Sequence, residues 1–403
     1  MVRVNLELEG HLIDSLILPK VLDLLVAAGV EYRLTDVTIG RTATDLSRVL
    51  IEMDVPVGVD LDPLLEELQV HGANLCVERD CALAVADTDG VLPSGFYSTT
   101  NLQTAVRVDG RWIEVIGPEM DCAVVVSADR QLARTVPMHR IRRGDLVVIG
   151  REGVRVDAPD RPRGVSAFEF MGSDVSSEKP QALLVRRVAD RLRAVREAGL
   201  KVLVVAGPAV IHTGGGEDLA RLVADGWVDV LFAGNGFATH DIESNVFGTS
   251  LGVSLDAGTQ TEGGHSNHLR VINEVRRLGS IAATIDAGYV TKGVMYECIR
   301  RGVPFVLAGS VRDDGPLPDT ITDVVEAADR MRELVPGVGA ALMLASTLHA
   351  IATGNLLPAS VETFCVDINM AVSTKLSDRG SQQALGIVTD VGLFLRRLAG
   401  ELL

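Results

Sequence analysis

Very little of this sequence is aromatic, and what sulfur it holds is not arranged for chemistry. Phe, Trp and Tyr make up 4% of the 403 residues, while hydrophobic residues reach 47% and glycines number 40. A core built on Val, Leu and Ala with abundant Gly is the composition of an α/β enzyme, with length enough for two or three domains. The five cysteines (Cys76, Cys81, Cys122, Cys298, Cys365) are odd in number, scattered and without a Cys-x-x-Cys pair, which excludes a disulfide framework and a thiolate zinc site. No apolar run reaches the roughly 18 residues of a membrane span. The opening Met1 to Glu9 alternates apolar and charged residues as no secretory signal does, so a soluble, cytoplasmic chain is expected. Positive charge is also short: 38 Lys and Arg stand against 54 Asp and Glu, a net −16. That balance repels nucleic acid and anionic membranes as main partners and leaves small molecules. Finally, neither a P-loop nor a Gly-x-Ser-x-Gly elbow is present, and no cysteine has a histidine partner close in sequence. NTPase chemistry and nucleophilic hydrolysis lose their support.

What is present is periodicity. Val2, Val4, Leu6 and Leu8 fall on one face of a strand, Leu16 to Ala28 reads as a helix stopped by Gly29, and Tyr32 to Ile39 as a strand. Thr44 to Glu52 and Pro63 to Val70 are expected to be helical, giving a small α+β sandwich at the N-terminus. From about residue 100 the runs shorten. Ala105–Val108 and Arg111–Val115 flank Asp109-Gly110, a hairpin signal, and Cys122–Val126, Asp145–Ile149 and Gly153–Val156 add strands. The polar, Gly/Ser/Pro-bearing stretch Phe168 to Pro180 is expected to connect domains. Beyond it, strands alternate with helices of 10 to 15 residues, the rhythm of a parallel sheet covered on both faces. The expected organisation is an α+β domain over 1–95, a β-rich domain over 96–175 and a Rossmann-like catalytic domain over 176–403.

Parallel α/β sheets place ligands beyond the carboxyl ends of their strands. Those ends are Gly207-Pro208 with Thr213 to Gly216, Gly234-Asn235-Gly236, Gly309 to Asp314, Ser346-Thr347-Leu348-His349 and Asp367-Ile368-Asn369, with Thr389-Asp390-Val391 opening the last helix. Gly234-x-Gly236 follows the apolar strand Val228–Ala233 and precedes Thr239, His240, Asp241 and Glu243. Its third fingerprint glycine is replaced by Thr239, so a standard dinucleotide motif is not met. An acidic residue past a strand end suits a ribose hydroxyl and so favours NAD over NADP, and Asp367 and Asp390 are the candidates. Asp390 serves equally as a helix cap. The second dense patch, Gly263-Gly264-His265-Ser266-Asn267-His268, places two histidines three residues apart. Substrate binding or acid–base work is the favoured reading. A metal held with Asp241, Glu243 and Glu262 is the weaker one, and no residue is assigned to a metal. Lys292 stands near a helix start, available to a substrate carboxylate or simply capping.

Four of these stretches resemble a known family: Ala233 to Glu243, Gly263 to Leu269, Ala308 to Asp319 and Cys365 to Asn369 are similar to the archaeal-type ornithine cyclodeaminases, also found as the C-terminal part of cyanobacterial arginine dihydrolase/ornithine cyclodeaminase proteins. Val4 to Ser15 resembles the LOR/SDH region that precedes them. The resemblance covers essentially the whole chain. It implies an NAD site in a Rossmann variant of the deoxyhypusine synthase type, which accounts for the missing glycine. Cofactor contacts carried over are Asn235, Gly236, Asp313 (with Asp314 the competing position), Ser346, Thr347, Leu348, His349, Asp367, Asp390 and Val391. It also implies conversion of ornithine to proline and ammonia: hydride removal from the α-carbon to NAD, attack by the δ-amine, loss of ammonia and return of the hydride to a cyclic imine. Asp241, His240, Glu243, His265, Asn267 and His268 are the acid–base candidates, and Lys292 the carboxylate ligand. Because the chain starts directly at the LOR/SDH strand, arginine hydrolysis is not expected. A homo-oligomer is expected on family and size grounds. The rival activities are an amino-acid dehydrogenase acting on a lysine- or saccharopine-like substrate, and a non-catalytic NAD-binding protein.

Overall fold

The computed structural model describes residues 2–12, 17–40, 45–56, 58–59, 61–76, 79–157, 181–250, 253–254, 266–313, 315–369 and 384–403. The segment expected to connect domains, Phe168 to Pro180, lies outside them, as do Glu262 to His265 and Asp314. The chain divides into two compact units, Met1–Ser173 with Leu357–Ser360, and Asp174–Leu356 with Val361–Leu403. Among the described residues no helix is long and apolar enough to cross a membrane.

The first unit holds two sheets. β1 (Val2–Gly10), β2 (Glu31–Thr38), β3 (Ser47–Val55) and β4 (Ala73–Leu75) pair in the order β2-β3-β1-β4. Leu6, Leu8, Ile51 and Met53 pack against Val21 and Leu25 of α1 (Ile17–Ala27) and Leu64 and Leu68 of α2 (Leu61–Val70). The helix expected over Thr44 to Glu52 is instead β3. Leu46, Val49 and Leu50 happen to match a helical i, i+3, i+4 spacing, but the register that decides is period two. Val49, Ile51, Met53 and Val55 point inward, and β3 pairs along its full length with β1, Leu6 opposite Ile51. Burying four large side chains on one face outweighs the modest helix propensity of so short a stretch.

The second sheet comprises β5 (Ala82–Val85), β6 (Thr104–Val108), β7 (Arg111–Ile116), β8 (Ala123–Val126), β9 (Ala133–Val136), β10 (Leu146–Ile149) and β11 (Val154–Val156), ordered β11-β6-β7-β9-β8-β10-β5. The expected hairpin is there. Asp109 (φ 50°) and Gly110 (φ 76°) turn β6 into β7 with two left-handed residues, matching the twist of the strands. β5 and β9, four residues each, carry too little alternation to stand out in the sequence.

The second unit is built on a parallel sheet of β12 (Lys201–Ala206), β13 (Val230–Gly234), β16 (Phe305–Ala308), β17 (Thr320–Ile321), β18 (Val338–Leu344), β19 (Glu362–Asp367) and β20 (Ala384–Val388), ordered β17-β16-β13-β12-β18-β19-β20. A two-stranded ribbon, β14 (Thr249–Ser250) with β15 (Val253–Ser254), stands apart from it. The chain starts at the centre with β12, works outward to β17, then returns to lay β18 against the other side of β12. The direction of winding therefore reverses between β12 and β18, and a crevice opens beyond their carboxyl ends. This is the Rossmann pattern, and the crevice is where such sheets take ligands. All seven residues of β18 are buried, as expected of a parallel strand covered on both faces.

Candidate functional site

Gly207 leaves β12 at the switch point and lies so close to the end of β18 that an added Cβ would come within 1.9 Å of the Ala345 carbonyl oxygen. Ala345 itself holds a left-handed backbone (φ 46°) and directs the following turn, Ser346 to His349, into the crevice. His349 opens α11 (Leu348–Leu356) and sits over the end of β13, its Cε1 3.0 Å from where a Cβ on Gly234 would be. Burial pulls the His349 imidazole below its ordinary value, and the Asp313 carboxylate opposes that shift. Four strand ends thus meet: Gly207-Pro208, Gly234 to Gly236, Asp313, and Ser346 to His349.

The helix after Gly234, α6 (Asn235–Phe247), points its N-terminus at this crevice. The fit to a dinucleotide rests on two observations. Gly236, in the first turn of α6, has no side chain although the protein leaves room for one, and the Thr239 hydroxyl, on the first turns of α6, is buried with no hydrogen-bond partner among the described residues. A helix N-terminus with approachable backbone receives phosphate readily. Gly236 could carry a Cβ at ordinary contact distance, 3.5 Å from Pro208, so packing within the protein does not demand glycine there.

Several expected cofactor residues have other tasks. The Asn235 side-chain oxygen accepts hydrogen bonds from the Leu317 N–H (2.9 Å) and the Thr320 hydroxyl (3.2 Å), tying down the loop before β17. Asp313 accepts from the Ser310 N–H at 2.8 Å and shapes its own loop. Asp367 accepts from the Asn369 N–H in a tight turn. Asp390 caps the last helix, α12 (Val391–Leu402), accepting from Leu393 N–H at 2.8 Å, and Val391 is in the core. Thr213 to Gly216 packs against that helix: a Cβ on Gly392 would come within 2.5 Å of the Thr213 carbonyl oxygen. Thr347 and Leu348 are exposed.

The polar residues of α6 separate into two groups. Asp241 is fully buried and accepts from the N–H groups of Val294 (3.0 Å) and Met295 (2.8 Å). These open α9 (Val294–Arg301), whose own N-cap is Gly293, without a side chain. Asp241 thus supplies the missing cap from a neighbouring helix. Burial pushes its carboxyl up to about 6 against the pull of those hydrogen bonds. The folded protein therefore holds a proton there that the unfolded chain, titrating near the ordinary 3.8, has released. The stability this contributes is full below about pH 4 and is lost as pH rises through 6, about 3 kcal/mol in all. Denaturant titrations of wild type and Asp241→Asn should show it. Their stability difference should shift by that amount between pH 4 and 7, wild type gaining at the acid end. A difference flat in pH would count against the buried proton.

His240 and Glu243 form the other group. Glu243 is 0% exposed. One of its oxygens is 2.8 Å from His240 Nδ1 and the other accepts from the Thr249 hydroxyl at 2.9 Å. That hydroxyl in turn accepts from Asn267 Nδ2 at 2.9 Å, which opens α7 (Asn267–Leu278). With Glu243 ionised, His240 Nδ1 carries the hydrogen of this contact and Nε2 is the nitrogen left to exchange protons. The His268 ring stands 6.3 Å from that of His240, centre to centre. On the other side His212, at the end of α4 (Ala209–His212), meets His240 edge-on at 4.9 Å.

The structure thus gathers His240, Glu243, Asn267 and His268. It sets Asp241 to helix capping and leaves Lys292 exposed in the turn before α9. His265 lies outside the described residues. Sequence reasoning missed His212, Thr249 and Ser250. His212 was within reach, since it lies four residues past Pro208, at a strand end already singled out. Nothing in the sequence marked Thr249 or Ser250.

Family models match the chain in three consecutive pieces. These are the LOR/SDH bifunctional enzyme conserved region over 3–102, the first region of the arginine dihydrolase ArgZ-like C-terminal part over 103–185, and the Rossmann fold of that part over 186–398. The chain is 52% identical over 99% of its length to an ornithine cyclodeaminase of Methanocaldococcus jannaschii, covering 96% of that protein. It is 43% identical to the bifunctional arginine dihydrolase/ornithine cyclodeaminase AgrE of Nostoc, of which it spans 58%. Among solved structures, a conserved putative LOR/SDH protein from Methanococcus maripaludis matches with a TM-score of 0.76 at 46% identity, over 80% of this chain and 98% of that one. The ternary complex of AgrE with ornithine and NAD⁺ matches with a TM-score of 0.54 at 42% identity, over all of this chain and 57% of that one.

Proposed function

The chain belongs to the family of LOR/SDH proteins with an ArgZ-like C-terminal Rossmann fold, and from that membership we propose that it is an NAD-dependent ornithine cyclodeaminase, forming L-proline and ammonia from L-ornithine. The observation that carries this reading is the junction on α6. One helix opens the nucleotide crevice at Gly234 to Gly236 and, one turn further on, presents the buried His240–Glu243 pair.

Gly207, Gly234 and Gly236, the Ser346 to His349 turn and Asp313 would hold the NAD. When bound, NAD supplies a hydride acceptor that becomes a donor within the same turnover, so the α-carbon is oxidised and reduced again with no net change. The protein's own residues do the rest. Glu243 fixes the tautomer of His240, whose Nε2 can then take or give a proton at a substrate nitrogen. The burial of Glu243, Thr249, Ser250 and Asn267 keeps water from an imine formed beside them.

Purified protein supplied with ornithine and NAD⁺ should release equal amounts of proline and ammonia while NADH absorbance stays flat. Steady NADH production would favour the dehydrogenase reading. NAD binding without turnover of ornithine, lysine or saccharopine would favour a non-catalytic binder.

A further inference from the structure

The proposed reaction asks more of proton chemistry than one histidine easily gives. Ornithine enters with two ammonium groups and one carboxylate, and leaves as zwitterionic proline plus ammonium ion. Protons balance overall, yet an amine must lose one before it can attack carbon, and the departing nitrogen must gain one before it leaves. A site that handles this without solvent needs a second group to store the proton in between.

The polar residues form a closed ring that offers one. Thr249 and Ser250 are adjacent on β14. Thr249 holds Glu243, which holds His240. The Ser250 hydroxyl lies 2.6 Å from His212 Nδ1, and the His212 ring returns to His240 at 4.9 Å. Both histidines are thus pinned at Nδ1, one by a carboxylate and one by a neutral hydroxyl, and among the described residues neither Nε2 has a hydrogen-bond partner. Unlike partners on a touching pair are how a site assigns one member to hold a proton and the other to accept one. Glu243, Thr249 and Ser250 are buried while His212 is only partly so, leaving His212 the member with access.

We propose that His212 is the second proton-handling residue of the site, taking a proton at Nε2 from a substrate ammonium and returning it to the nitrogen that departs as ammonia. In the first step an N–H bond of the ammonium breaks, its electron pair stays on the amine, and neutral His212 becomes imidazolium. The second step is the reverse, at the leaving nitrogen. This deepens the cyclodeaminase reading and rests on it. Among the described residues, the ionisable groups facing His212 are His240 and Glu243. Burial, then the neighbouring His240, lowers the His212 pKa, with Glu243 opposing, which favours the neutral ring between turnovers.

Two measurements on the full-length protein test this. In protein labelled at the histidine ring carbons, the His212 signal, assigned by its loss in His212→Asn, should titrate below the usual histidine value of about 6.5 and move back toward it in His240→Asn. A signal at the ordinary value that ignores His240→Asn would overturn the coupling. In kinetics, His212→Asn keeps a side chain able to meet Ser250 but cannot shuttle a proton. It should lower kcat/KM for ornithine by about 10²- to 10⁴-fold, and free imidazole should restore part of the loss in His212→Ala. Activity within about threefold of wild type, or a loss that imidazole leaves untouched, would reduce His212 to filler. A wild-type enzyme that ignores ornithine counts against the cyclodeaminase reading, while the titration still decides whether the two histidines share a proton.

Discussion

Glu243→Gln is expected to lower ornithine turnover by about 10²- to 10⁴-fold, the range ascribed to a positioned acid–base group. The side chain is fully buried and never needs to meet substrate. It acts through His240. As a carboxylate it accepts twice, from His240 Nδ1–H and from the Thr249 hydroxyl. Glutamine keeps the volume but offers one acceptor and one donor, so one of those bonds must reverse. If the amide N–H₂ meets His240, the imidazole hydrogen moves to Nε2 and the atom that should accept a proton is already blocked. The effect should fall on kcat, with NAD affinity kept, because the Gly207 and Gly234 crevice is untouched. A variant retaining kcat within threefold would show that the pair is structural.

The second large effect concerns stability. Gly207→Ala places a methyl group 1.9 Å from one backbone atom and 2.8 Å from another of Ala345. Neither belongs to a flexible side chain that could swing away, so β12 and β18 must part at the switch point. Overpacking of this kind costs about 1 to 3 kcal/mol and occasionally more, read as a drop in the denaturant midpoint, and NAD binding should go with it. Gly236→Ala is the contrast. Its methyl would touch Pro208 at 3.5 Å without strain, and alanine favours a helix over glycine by about 1 kcal/mol. This variant should be as stable as wild type or more so, yet bind NAD more weakly if the nucleotide backbone lies against α6. A Gly236→Ala protein with full NAD affinity would remove that glycine from the cofactor site.

Part of the central sheet was legible in the sequence because its strands are buried on both faces: the apolar runs Lys201 to Ala206, Val228 to Ala233 and Phe364 to Asp367 needed no tertiary information, and the first two stop at glycine. β3 was misread because a half-buried strand and a short amphipathic helix share several spacings, and only pairing with β1 separates them. The candidate residues could be named from the sequence, but not the partners their side chains would meet. Asp241 and Glu243 are two residues apart on one helix and look interchangeable. Two residues is about half a helical turn, so they face opposite ways, one toward the amides of α9 and the other toward the histidines. Asn235 and Asp390 carry the residue types of ligand contacts and spend them on a loop and a helix cap. The His212–Ser250 pairing joins positions 38 residues apart with no pattern between them, and such a pairing exists only in three dimensions.

The reversal of winding at β12 also sets a schedule for assembly. β12 gains β13 as its neighbour within about 30 residues of chain, but its other neighbour, β18, lies well over a hundred residues later. Contacts of long sequence separation close slowly, after their loop entropy has been met. The crevice therefore has one wall early and the second only when residues 338–344 have been made. A chain interrupted before β18 would carry the histidines of α4 and α6 beside a crevice with one wall missing.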